Sequence, residues 1–239
     1  MKTLWRWQLT LALILAGITG VVESAMPGTP KPGLTLTIHI YNYAEVAPQT
    51  VIEAERVAAG IFQRAKVNVR WVNVAVTSGN NQENTTDQGP FGLSHIWIKI
   101  LSGPMAERLN LRNDAMGFAP GSGCARDIAF VAYNHVEALA LQQTKARFEG
   151  NTPINATTGQ ILAHAVAHEI GHLLLDLPFH SETGIMRGDW DLKDLQSIAY
   201  GYLNFTPQQA AAIRAAVARR TSQKEPIEIA KLDCSESAQ

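Results

Sequence analysis

Ile161-Leu-Ala-His164-Ala-Val-Ala-His168-Glu169-Ile170-Gly171-His172, followed by His180-Ser181 and Gly184-Ile185-Met186, is the stretch on which the reading of this chain turns. The apolar spacing of Ile161, Leu162, Ala165, Val166, Ile170, Leu173 and Leu174 predicts a helix with a core-facing side. On such a helix His168 and His172, four residues apart, project from one face and can grip a single metal ion. Glu169 follows the first of them at once. From that place a carboxylate does not readily bind the same ion, but it reaches a water held on it and can take its proton. His180, beyond the helix end, offers a third imidazole and leaves a fourth position open. That is the pattern of a catalytic zinc site; structural sites close all four positions with protein ligands. One Zn2+ on His168, His172 and His180, with Glu169 as general base, is the expected centre.

His164 stands in the same i, i+4, i+8 row as His168 and His172. It belongs to no H-E-x-x-H, so it is read as packing or as support behind the ligands. The helix should begin near Thr158, because Thr157 and Gln160 form a capping box, and should stop before Pro178.

The rest of the chain narrows the classes. Its 239 residues suffice for one substantial domain. Lys plus Arg total 20 against 21 for Asp plus Glu, so there is no basic footprint for nucleic acid or an anionic membrane. At the N-terminus, Lys2 and Arg6 precede a 14-residue apolar run, Leu9 to Val22, and Val22-Glu23-Ser24 offers small residues around a cleavage site. This is the layout of a secretory signal peptide, and the run is shorter than the roughly 20 residues a spanning helix needs. The expected product is secreted or extracytoplasmic, periplasmic in a Gram-negative host, and not inserted in a membrane after cleavage. Cys124 and Cys234, an even pair in an exported chain, are expected to form a disulfide. Asn84-Thr-Thr and Asn155-Ala-Thr fit N-glycosylation acceptors, which matter only in a host that glycosylates.

Along the chain, residues 25–33 form a Pro/Gly-rich linker and Leu34–Tyr41 alternates as a half-buried strand. A helix follows from Pro48 to Lys66 with Val51, Ile52, Glu55, Ala58, Ala59 and Phe62 at helical spacing. Val67–Val76 and His95–Leu101 read as strands, separated by a polar loop from Thr77 to Pro90. Met116-Gly117-Phe118-Ala119 is a short extended piece; as an exposed edge it would take an extended peptide as an added strand. Asp127–Val136 reads as a strand that runs into a helix from Glu137 to Phe148. His39, His95 and His135 read as solvated residues. The last helix runs from Thr206 to Arg220, with Ala211, Ile213, Ala216 and Val217 turned inward and a polar tail beyond.

Order of elements and motif together resemble the metzincin clan of zinc endopeptidases. That clan carries H-E-x-x-H-x-x-G-x-x-H and a methionine-bearing turn beneath the metal. His168, Glu169 and His172 match the core of the motif. His180-Ser181 resembles the His-Ser pair of matrix-metalloprotease-like members, and Gly184-Ile185-Met186 resembles the Met-turn. The resemblance implies an α+β fold: a twisted mixed sheet, an active-site helix and a small C-terminal helical subdomain. It places the peptidase domain at 34–222, divided into an upper part (34–176) and a lower part (177–222), with a tail at 223–239. It implies a peptide or protein substrate, Gly117, Phe118 and Ala119 as substrate-binding edge, and Met186 as hydrophobic floor. The chain departs from the pattern at one point. Seven residues separate His172 from His180 where the clan has five, and Leu175 replaces the glycine of the turn.

Three rival readings stay open. Asp189, Asp191 or Asp194 would be the third ligand in a site completed by a carboxylate. A zinc-binding module of the same fold would recognise peptides or a partner without cutting. An exported structural protein would merely pack or solvate its histidines. Tyr200 and Tyr202 are the conceivable donors to a developing oxyanion.

Overall fold

Leu36, Ile38 and Ile40 are buried while Thr35, His39 and Tyr41 alternate with them, and this period of two makes β1 (Thr35–Asn42) the spine of a sheet. The computed structural model describes residues 33–76, 94–111, 115–120, 127–148, 156–175 and 180–222. The expected signal peptide, most of the linker, the C-terminal tail, both sequons' asparagines, both cysteines and Pro178 lie outside these residues.

β1 pairs in parallel with β2 (Asn68–Val74) on one side and β3 (His95–Leu101) on the other. β3 in turn pairs in parallel with β5 (Ile128–Ala132), and the two-residue β4 (Gly117–Phe118) closes the order β2-β1-β3-β5-β4 by running antiparallel along β5. The sheet is therefore mixed, with β4 at its edge. The register sets Ile38 beside Ile96, Ile40 beside Ile98 and Ile98 beside Ala129, so the buried phases of three strands merge into one apolar face.

Two helices share a core with that face. α1 (Pro48–Arg64) contributes Val51, Ala54, Ala58, Ile61 and Phe62, and Pro48 sits in its first turn, where no N–H is missed. Ile52, expected inside, is 60% exposed, because the buried stripe runs through Ala54 and Ile61 instead. α4 (Thr158–Leu175) is the central helix: 14 of its 18 residues are buried, from Gly159 through Leu174. A helix enclosed on nearly every side takes its polar residues out of water with it. The reciprocal Thr157–Gln160 cap holds its start, with backbone N–H to side-chain oxygen distances of 2.9 and 3.0 Å.

α3 (Tyr133–Phe148) begins four residues earlier than the apolar pattern indicated. β5 loses its pairing partner where β3 ends at Leu101, opposite Ala132, so the chain is free to coil there; Val136 is buried as a helical residue. Two helices escaped the sequence reading. α2 (Gly103–Arg108) is one short segment opened by Ser102 and Pro104, and α5 (Leu192–Ala199) starts at a capping box between Asp191 and Asp194. α6 (Pro207–Ser222) buries Ala210, Ile213, Ala216 and Val217; Ala211 is exposed, one position off the inward stripe. Arg220 on α6 pairs with Asp127 at 2.5 Å and donates to the Leu173 carbonyl at 3.2 Å, clasping the last turn of α4. Among the described residues no helix is long and apolar enough to cross a membrane.

Candidate metal centre

His168 and His172 project from the last turns of α4, and His180 approaches them from the segment after it. Their ring centroids lie 4.8–5.2 Å apart pairwise, and one nitrogen from each falls within 4.8 Å of the others. Among the described residues this is the one group of three or more His, Cys, Asp or Glu side chains so arranged. Nε2 of His168 and Nε2 of His172 are 3.0 Å apart. Tetrahedral zinc, with Zn–N near 2.0–2.1 Å, sets its ligand nitrogens about 3.3 Å apart, so the pair is close to ligand spacing. Three imidazoles and no thiolate or carboxylate form a donor set that suits one Zn2+ with an open side.

A hydrogen bond behind His168 orients its ring. Nδ1–H of His168 donates to the Ile185 carbonyl at 2.7 Å, which fixes the tautomer and leaves the Nε2 lone pair facing the cluster. Burial holds the His168 pKa down at about 4, with the neighbouring His172 and His180 adding to the effect, so the ring is neutral and competent as a ligand at pH 7. His172 is half-buried and His180 is exposed, so the cluster opens to solvent on the His180 side.

Gly184-Ile185-Met186 passes directly under α4. Gly184 has φ of 75°, a conformation that favours glycine, and a Cβ there would lie 2.8 Å from the Asn204 carbonyl. Met186 is 2% exposed, and a Cβ on Gly171, between the two histidines, would lie 2.4 Å from its sulfur. The bare Gly171 Cα is what lets the thioether rest against the helix at this point. Gly188 has the matching relation to His180: a Cβ there would fall 2.8 Å from the imidazole Nδ1. Trp190 meets the rings of His164 and His168 edge-on, at 6.3 and 5.9 Å.

Glu169 is 3% exposed, and burial pushes its carboxyl pKa up to about 8. Its neighbour is the edge strand. A Cβ on Gly117 would lie 2.7 Å from both Cγ and Oε1 of Glu169 and 2.3 Å from the Phe130 carbonyl. β4 thus passes beside the carboxylate, and Phe118, next along it, is 48% exposed and stacked on Phe130.

The remaining residues singled out by sequence take other places. His164 is buried, with Nδ1 2.7 Å from the Gln160 carbonyl and Nε2 3.2 Å from that of Leu203; it is not in the cluster. A neutral ring carries one N–H and can satisfy only one of these two carbonyls. Burial outweighs their pull and holds its pKa at about 4. Asp191 caps α5 through the N–H groups of Lys193 and Asp194, Asp194 accepts from Arg187 at 2.5 Å, and Asp189 is exposed. The carboxylates considered as a third ligand are therefore committed elsewhere or apart. Tyr200 and Tyr202 are exposed, their rings tilted against each other at 6.1 Å, in a segment that Gln160 ties to the first turn of α4. His39, His95 and His135 are not the solvated residues expected. His39 bonds His95 at 2.9 Å and stacks on Trp97, and His135 Nδ1 meets the Ala115 carbonyl at 2.5 Å.

No profile of a known protein family matches the chain, and no curated protein sequence does. Among solved structures it is similar to a zinc-dependent peptidase from Methanocorpusculum labreanum (strain Z), at 14% identity and a TM-score of 0.45, over 74% of this chain and 99% of that one. It is similar to archaemetzincin from Methanopyrus kandleri at 13% identity and a TM-score of 0.44, over 80% of this chain and 100% of that one. At these values the chemistry rests on the chain's own side chains.

Proposed function

We propose that the chain is a zinc-dependent endopeptidase of metzincin type, with His168, His172 and His180 as ligands, Glu169 as general base and acid, and Met186 as the floor beneath the metal. The observation that carries this reading is the convergence of three imidazoles at the end of the helix that also buries Glu169, the residue next to His168. A carboxyl group withdrawn from water in that position has a clear chemical use.

When bound, zinc supplies a Lewis acid that lowers the pKa of a water toward neutrality and polarises a carbonyl. The side chains do the rest. His168 is held neutral by burial and oriented by the Ile185 carbonyl, and His172 stands one turn further along the same helix face. Glu169 takes a proton from the attacking water and returns it to the departing amine. β4 offers its free edge to an extended peptide, and Gly117 lets that edge pass close to Glu169. Phe118 and Ala119 continue the same edge toward the exposed surface.

Export is part of the proposal, on the layout of residues 1–24, and so is a Cys124–Cys234 disulfide in the exported chain. The test is digestion of a peptide library by the natively purified protein. Cleavage should stop on metal removal by a chelator and return with stoichiometric zinc. A zinc-loaded chain that binds peptides and cuts none of them would favour the non-cutting module instead.

A further inference from the structure

Leu175 occupies the place of the turn glycine, and the spacer to His180 is two residues longer than in the motif it resembles. His180 is also the most exposed of the three imidazoles, so packing on its outer side does not hold it. Something else must fix its backbone if it is to wait at ligand distance.

The described residues supply such a fixing. The Ser181 N–H donates to the Met186 carbonyl at 2.8 Å, closing the loop 181–186 on itself. The Ser181 hydroxyl donates to the Thr183 carbonyl at 2.7 Å and accepts from Nε2 of Gln209 at 3.1 Å. Gln209 is held at its other end: Oε1 accepts from the Thr206 N–H at 2.9 Å, and its own N–H donates to Thr206 Oγ1 at 3.3 Å. The side chain that caps α6 is therefore the same one that grips the residue after His180. Two further contacts run the same way, Ile185 N–H to the Asn204 carbonyl at 3.0 Å and the bare Gly188 Cα against the His180 ring.

We propose that Gln209 is a positioning residue for His180, tying the third ligand to the first turn of α6 in place of a glycine turn after α4. The proposal rests on His180 being a zinc ligand, as argued above. Zinc then meets an imidazole whose backbone is already placed, and less ordering is left to oppose binding.

The test is zinc affinity, by competition with a chromogenic chelator, for Gln209→Ala, Ser181→Ala, their double variant, and each single change in a His180→Ala background. Ser181→Ala leaves the α6 cap intact, so it reports even if Gln209→Ala folds poorly. Each single change should weaken zinc roughly fivefold, the scale of one hydrogen bond, and the double variant should be no weaker than either. In the His180→Ala background neither change should have further effect. Unchanged affinity in both single variants overturns the proposal. So does an equal loss with and without His180, which marks general loosening of α6. If His180→Ala itself binds zinc like the parent, it is the ligand set that fails, and the tether falls with it.

Discussion

Gly117 has no side chain, and this lets the edge strand lie directly against the buried Glu169. Gly117→Ala places a methyl group against the Phe130 carbonyl, which is backbone and cannot step aside. The edge strand must shift, at a cost on the order of 1–3 kcal/mol. Thermal unfolding should register that loss, and peptide cleavage should fall while zinc content stays at the parent level. His164 gives a second expectation at this scale. Its folded pKa of about 4 lies below its ordinary 6.5, so its stabilising contribution is full above pH 6.5 and is lost as pH falls through 4. The span corresponds to about 3 kcal/mol. Denaturant unfolding of the metal-free protein between pH 7 and 4 should therefore show a shallower decline in His164→Gln. Parallel curves for parent and variant would place the acid sensitivity elsewhere.

At the scale of elements, α4 and α5 do different work. α4 is buried nearly throughout, and burial keeps its His164 and His168 neutral. α5 is anchored by Asp191 and Asp194, and Arg187 beside Met186 binds Asp194, so the segment under the metal is pinned to this helix. Asp191→Ala should cost about 1 kcal/mol of stability by loss of the cap and leave one zinc per chain. Loss of zinc in that variant would restore the carboxylate-ligand reading. α4, its cap and the pairing of His168 with His172 on one helix face were legible in the sequence because a period of 3.6, a T-x-x-Q start and H-E-x-x-H are all local signals. The surroundings of His180 were not. Gly188 and Gln209 act through the way the chain returns after α4, and no local pattern marks that. The T-x-x-Q of Thr206 and Gln209 could have been read as a capping box, as Thr157 and Gln160 were, but its second partner, Ser181, lies 28 residues earlier. α5 was missed for a related reason: its aspartates were weighed as ligands and not as caps. The histidines of β1 and β3 looked solvated because strand phase says which side a residue faces but not what stacks on it there.

Over the whole molecule, one core of sheet, α1 and α4 holds His168, His172 and Glu169, while the segment from 180 to 222 brings His180 and Met186. The centre lies where these two stretches of chain meet. An exported chain with Cys124 and Cys234 joined would close a loop of about 110 residues, for which chain-entropy reasoning gives about 4–5 kcal/mol. Thiol counting of the unreduced, denatured protein should find none, and two reactive thiols would remove that staple. The central claim is that Glu169 moves the proton at a zinc site it does not itself bind. The direct measurement is the peptide-cleavage rate of Glu169→Gln against the parent, both containing one zinc per chain. The amide keeps the size and leaves the imidazoles untouched, so the rate should fall by roughly 10²–10⁴-fold. Cleavage at the parent's rate by a zinc-replete Glu169→Gln protein would contradict the account.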